Sequence, residues 1–176
     1  REAVVRAESV GAKMAVLHGR SKECKFQGTA DYSKIRSVSE AVNIPLFANG
    51  DINDLESAKV AAEQSGSDGL MIGRGAIGQP WIFSYLLGEE LPSIEERIVV
   101  MNEHLDAIHR FYGSERGARV SRKHLMAYFT RLSAPVLGKQ FVSLGTSQEQ
   151  VAWLREIDVE VVKSFSSLIK EVAIAA

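Results

Sequence analysis

The stretch IPLFANGDIND, residues 44–54, and the stretch SGSDGLMIGRG, residues 65–75, share one pattern. Each holds a short apolar run, residues 44–48 and 70–72. Each run stops in a polar turn with glycine, Asn49-Gly50-Asp51 and Gly73-Arg74-Gly75. Apolar runs of this length, bounded by turn residues, read as buried strands. Between them Asn53 stands as a helix N-cap, with Glu56 three residues later in a capping-box arrangement, and that helix ends near Gly66. Upstream, residues 13–18 form a third such run, ending in His18-Gly19-Arg20. Residues 33–42 have helical spacing, with Ile35, Val38 and Val42 on one side. Downstream, residues 79–87 read as a helix with Pro80 in its first turn. Apolar strands alternating with helices indicate parallel βαβ units and an α/β fold. Three parallel strands are expected near residues 13–18, 44–48 and 69–73. Their polar turns then gather at the carboxyl edge of the sheet, where such folds bind ligands.

The pattern changes after Leu91-Pro92. Ser93 and Glu96 form another capping box, and Ile94, Ile98, Met101, Leu105, Ile108 and Tyr112 recur at steps of four and three up to Gly113. A second helix is expected from about 115 to 132, then a loop containing Pro135, Gly138 and Gly145. One last helix starts near Ser147, with Leu154, Ile157, Val161, Phe165, Leu168 and Val172 as its apolar stripe. A boundary therefore falls near residue 90, between an alternating part (1–90) and a helical part (91–176). At the other end, Arg1-Glu2-Ala3-Val4-Val5-Arg6 reads as the body of a helix ending at Gly11. A helix that begins without a cap or a preceding strand is the expectation for a truncated chain.

Composition narrows the classes. The net charge of -1 gives no bulk reason to invoke nucleic acid. A single cysteine excludes an internal disulfide framework and suits a reducing cytosol, so a cytoplasmic protein is expected. No apolar run is long enough for a membrane span. Histidines and cysteine are not placed at metal-ligand spacing, so no metal site is expected.

Three features can carry chemistry. Gly73-Arg74-Gly75 before a short helix suits a phosphate: glycines admit backbone N–H groups, and Arg74 offers a bidentate fork. The plain alternative is a tight turn; Asn49-Gly50-Asp51 one unit earlier weighs toward the phosphate. His18 closes a strand at the same edge, where a ligand role competes with a structural one. Cys24 has no local base beside it and reads as an incidental loop residue. The third feature is a one-signed helix: Arg116, Arg119, Arg122 and Lys123 fall within about a third of the circumference at about 100° per residue. Leu125, Tyr128, Phe129 and Leu132 lie elsewhere on that helix. Residues 113–140 hold six basic side chains against Glu115 alone, a local charge of +5. Such a stripe is either a solvated face or a row of phosphate contacts.

The ordered set HGRSKECKFQGTADYSKIRSV (18–38), IPLFANGDIND (44–54), SGSDGLMIGRGAIGQPWIF (65–83) and GSERGARVSRKHLMAYF (113–129) resembles the tRNA-dihydrouridine synthases, most closely the bacterial B type. The resemblance covers roughly residues 1–132. It implies the C-terminal part of a (β/α)8 TIM barrel followed by a small all-helical, tRNA-binding domain. The implied activity is FMN-dependent reduction of uridine to 5,6-dihydrouridine in tRNA, with NADPH as reductant. By the same resemblance His18 contacts the flavin ring, Asn49, Gly50 and Asp51 line the cofactor, and Gly73 with Arg74 holds its phosphate. Arg20 and Lys22 are placed near the incoming RNA. The family's proton-donating cysteine belongs upstream of the His18 strand, so Cys24 does not inherit that role and no catalytic residue is expected within the chain. Two other readings remain open. One is a barrel oxidoreductase that binds FMN or another phosphate and acts on a small molecule. The other is a non-catalytic RNA-binding remnant.

Overall fold

A computed structural model describes residues 1–21, 23 and 28–165. They divide into two compact units, one made of Arg1–Ala76 with Ile82–Glu89, the other of Ile77–Trp81 with the chain from Glu90 onward.

The first unit alternates helix and strand: α1 (Glu2–Ser9), β1 (Ala15–His18), α2 (Tyr32–Ser39), β2 (Leu46–Asn49), α3 (Leu55–Ser65), β3 (Gly69–Met71), a 3₁₀ turn (Arg74–Ala76) and α4 (Ile82–Leu86). The strands form one parallel sheet in the order β1-β2-β3, with His18 beside Asn49 and Asn49 beside Met71 in register. Strand alternation sorts the side chains. Leu46 and Ala48 are fully buried and, with Ala15, Leu17 and Leu70, pack against Ile35, Val38, Ala58 and Ala61 of α2 and α3. Burying Leu46 alone contributes roughly 1.5–3 kcal/mol. On the other face Val16 and Met71 are exposed. Asp68 locks β2 to the start of β3: its carboxylate accepts from the Leu46 N–H at 2.9 Å, and its own N–H donates to the Leu46 carbonyl at 2.9 Å.

Local chemistry adjusts several expected boundaries. Asp54, not Asn53, caps α3. Its carboxylate accepts from the Ser57 N–H at 2.8 Å, and the Ser57 hydroxyl accepts from the Asp54 N–H at 3.1 Å. That frame puts Ser57 at the reciprocating position and leaves Glu56 one place short of it. Gly66 ends α3 in the left-handed conformation (φ 56°). The helix expected over 79–87 is only α4, with Pro80 in the turn before it.

The regular elements among the described residues of the second unit are helices, which include α5 (Ile94–Tyr112), α6 (Ser114–Arg131), α7 (Pro135–Ser143) and α8 (Ser147–Arg155). Ser93 caps α5 in a full capping box with Glu96. Leu105, Leu125, Phe129, Phe141 and Leu154 are fully buried at the centre of this unit's core. The expected loop around Pro135 and Gly138 is instead α7. Proline is favourable in a first helical turn, and Leu137 and Phe141, four apart, both enter the core. Gly138 lets α7 approach α6, since a Cβ there would sit 2.5 Å from the Met126 sulfur. The single last helix is in fact broken at 156–158. The Asp158 carboxylate accepts from the Glu160 N–H at 2.9 Å and starts a new helical run, 159–165. The break shifts the phase, so Val162 is fully buried and Val161 is 41% exposed. Leu168 and Val172 lie outside the described residues.

Candidate functional site

The three strands end level, and the turns after them interlock. The His18 Nδ1 lies 3.1 Å from the Asn49 carbonyl oxygen. A carbonyl only accepts, so Nδ1 carries the hydrogen in this contact. The same carbonyl accepts from the Gly19 N–H at 2.9 Å. The Asn49 side-chain amide donates to the Met71 carbonyl at 2.7 Å, which ties the second turn to the third strand. Gly50 runs at φ 128°, and a Cβ there would meet the His18 ring at 2.9 Å, so glycine is what lets His18 lie against this turn. Tyr32, at the start of α2, buries its hydroxyl and donates to the Gly50 carbonyl at 2.6 Å.

Asp51 anchors the middle turn from a left-handed backbone (φ 52°). Its carboxylate accepts from Arg20 at 2.6 Å and from the Ala30 N–H at 2.8 Å. Burial opposes its charge, but the Arg20 and Ala30 hydrogen bonds and the charges of Arg20 and Arg74 outweigh this, holding the carboxyl below its ordinary range. The Arg20 side chain is 6% exposed and donates also to the Gly28 carbonyl at 2.5 Å. The third turn is exposed at Gly73 and Arg74 and buried at Gly75, where a Cβ would strike the Ile52 carbonyl oxygen at 2.0 Å. The backbone of this turn can therefore come close to its neighbour only as glycine. Lys22 and Cys24 lie outside the described residues.

The match to known proteins bears on this edge directly, because it runs through all three turns. A family model described as Dihydrouridine synthase (Dus) matches residues 1–166. The chain belongs to the dihydrouridine synthase family. Its relatives include tRNA-dihydrouridine synthase B of Pasteurella multocida, 37% identical over 155 residues, covering 82% of this chain and 46% of the relative. The enzyme of the same name from Pseudomonas aeruginosa is 41% identical over 162 residues, 88% of this chain and 49% of the relative. That of Vibrio parahaemolyticus is 45% identical over 130 residues, 69% and 40% of the two chains. The chain thus spans about half the length of the curated relatives it matches.

The second candidate surface of this family member lies on α6. Arg116, Arg119 and Lys123 are exposed, whereas Leu125, Tyr128 and Phe129 are buried. Arg119 pairs loosely with Glu115 at 3.5 Å, an exposed contact worth little. Arg122 differs from the other three: it is half-buried and donates to the Leu144 carbonyl at 2.9 Å, holding the end of α7. Sequence reading missed Tyr32, Ala30 and Gly28 as supports of the first site. Gly28 reaches Arg20, and no spacing rule points from Ala30 and Tyr32 to residues 51 and 50, which they meet only once β1 and β2 pair. Among the described residues no group of three or more His, Cys, Asp or Glu could hold a metal ion. No helix among them is long and apolar enough to cross a membrane.

Proposed function

We propose that the carboxyl edge of the β1-β2-β3 sheet is part of an FMN site at the end of a (β/α)8 barrel. On this reading the protein reduces uridine to 5,6-dihydrouridine in tRNA with NADPH as reductant. One observation carries the reading: the carboxyl ends of β1, β2 and β3 are tied together by His18–Asn49, Asn49–Met71 and Arg20–Asp51 contacts. The residues fit the group. Gly73 leaves backbone room, since a Cβ there would have only the Asn49 side chain within reach, at 3.9 Å. Arg74 is exposed beside it, and its charge is felt by Asp51. Gly73 and Arg74 would hold the phosphate, Asn49, Gly50 and Asp51 would line the cofactor, and His18 would meet its ring. Bound flavin supplies hydride chemistry; the protein supplies position and charge. Names of the relatives support tRNA as substrate, and the helical second unit, with Arg116, Arg119 and Lys123 exposed on α6, suits an RNA backbone. A cytosolic enzyme agrees with such a substrate.

Arg74→Ala in the full-length protein is expected to weaken flavin binding about ten- to a hundredfold, the effect of losing a charge-assisted contact. Arg74→Lys should recover only part, lacking the planar fork. Flavin occupancy equal to wild type in Arg74→Ala on dilution would place the phosphate elsewhere. Loss of Arg119 and Lys123 together should lower tRNA affinity and flatten its salt dependence, by about 0.7–0.9 in log–log slope per lost contact. An unchanged slope would leave α6 as a solvated face.

A further inference from the structure

We propose that the corner between α5 and α6 is a stacking site for an unpaired nucleobase, built from Phe111, Tyr112 and Arg116. This rests on the RNA-substrate reading above and adds to it a contact that is not electrostatic.

Phe111 is 82% exposed, in the last turn of α5. The fold does not need it there. The inward stripe of α5 is Ile98, Met101, Leu105 and Ile108, all buried, and its next member by helical spacing is Tyr112, not Phe111. A lone exposed aromatic is ordinary. This one has company. The Phe111 and Tyr112 rings pack edge-to-face with centroids 4.8 Å apart and planes at 79°. The Arg116 guanidinium lies over the Tyr112 ring, 5.2 Å from its centroid. Gly113, at φ 75°, turns the chain between them.

Arg116 is the link that selects the occupant. It belongs to the same α6 face as Arg119 and Lys123, so the aromatic pair sits at one end of an exposed cationic stripe. Arg110, also exposed, adds a charge just before Phe111. An RNA duplex needs only the cations, because its bases are stacked within. A strand with unstacked bases uses both parts: cations along the backbone, aromatic faces and arginine planes for the bases. A protein partner would also favour aromatics and arginine. The net positive charge running into the corner, Arg110, Arg116, Arg119 and Lys123 against Glu115, favours the polyanion.

The test compares Phe111→Ala and Phe111→Trp in the full-length, flavin-loaded protein, with tRNA, an oligouridine single strand and a fully paired RNA duplex as ligands. Phe111→Ala should weaken tRNA and oligouridine binding about five- to a hundredfold, the range for losing one base stack. Duplex binding should not change. The salt slope should match wild type, because no phosphate contact is lost. Phe111→Trp should keep the affinity, and the fluorescence it adds over wild type should be quenched by oligouridine. Position 111 is exposed, so both variants should melt at the wild-type temperature. Wild-type tRNA affinity in Phe111→Ala, with no quenching in Phe111→Trp, overturns the stacking site and leaves the RNA reading intact. If the wild-type protein binds no RNA at all, both fall.

Discussion

Arg20 carries a charge almost wholly out of water, and Asp51 is the group that neutralises it, at 2.6 Å. A guanidinium so placed is poorly suited to reach RNA and well suited to hold the turn at Asp51. The pair joins β1's turn to β2's turn, and Asp51 adopts a left-handed backbone that needs support. Asp51→Asn keeps an acceptor oxygen but removes the negative charge, and so leaves the buried cation without its counter-charge. The loss is expected to be about 1.5–3 kcal/mol of stability, as for a charged hydrogen bond. Urea unfolding of the full-length protein measures it, and flavin affinity should fall in parallel. If Arg20→Ala instead flattens the salt dependence of tRNA binding and leaves stability alone, Arg20 is an RNA contact after all.

Two elements make distinguishable claims. At α3 the capping box is Asp54 with Ser57. Asp54→Ala should cost about 1 kcal/mol, whereas Glu56→Ala should cost only a few tenths, through the helix dipole. Equal losses in a denaturant series would return Glu56 to the box. The α5–α6 pair holds two histidines against each other, with ring centroids 5.1 Å apart, and His104 Nδ1 is 3.2 Å from the Tyr128 hydroxyl. Burial lowers both pKa values; for His124 the charges of His104 and Lys123 add to it. The unfolded chain therefore binds protons more readily than the folded one. The stability is fully present above the ordinary value of 6.5 and is lost as pH falls from there through the folded pKa. The melting temperature should drop between about pH 7.5 and about pH 5.5, a window in which ordinary carboxylates stay ionised. His124→Asn should shrink that drop. An equal drop in the variant would locate the titration elsewhere.

At the scale of the whole molecule, the sheet is the exposed feature. Among the described residues β1 and β3 pair on one side only, and Val16, Met71 and Met14 are exposed around the face opposite α2 and α3. Unpaired edges and bare apolar faces favour association. The 176-residue chain alone is expected to bind the dye ANS and to scatter light increasingly with concentration. A sharp two-state melt of a monomer that does not bind ANS would count decisively against this.

Much of the α/β part was legible from local pattern alone. Short apolar runs ending in glycine-containing turns, separated by runs of helical spacing, identify three parallel strands and bring His18, Asn49-Gly50-Asp51 and Gly73-Arg74 to one edge, because a βαβ unit leaves its turns there. Ser93 and Glu96 cap α5 as read, since the whole box spans four residues. Tertiary structure decided the rest. Pro135 and Gly138 look like loop residues until Leu137 and Phe141 find a core and Gly138 finds Met126. Arg119 and Arg122 are indistinguishable in a charge stripe; the Leu144 carbonyl, 22 residues on, takes Arg122 and leaves Arg119 to solvent. Arg20 and Asp51 are 31 residues apart and meet only because β1 and β2 lie side by side. Short-range patterns specify elements. Burial and charge pairing depend on which distant residues those elements bring together.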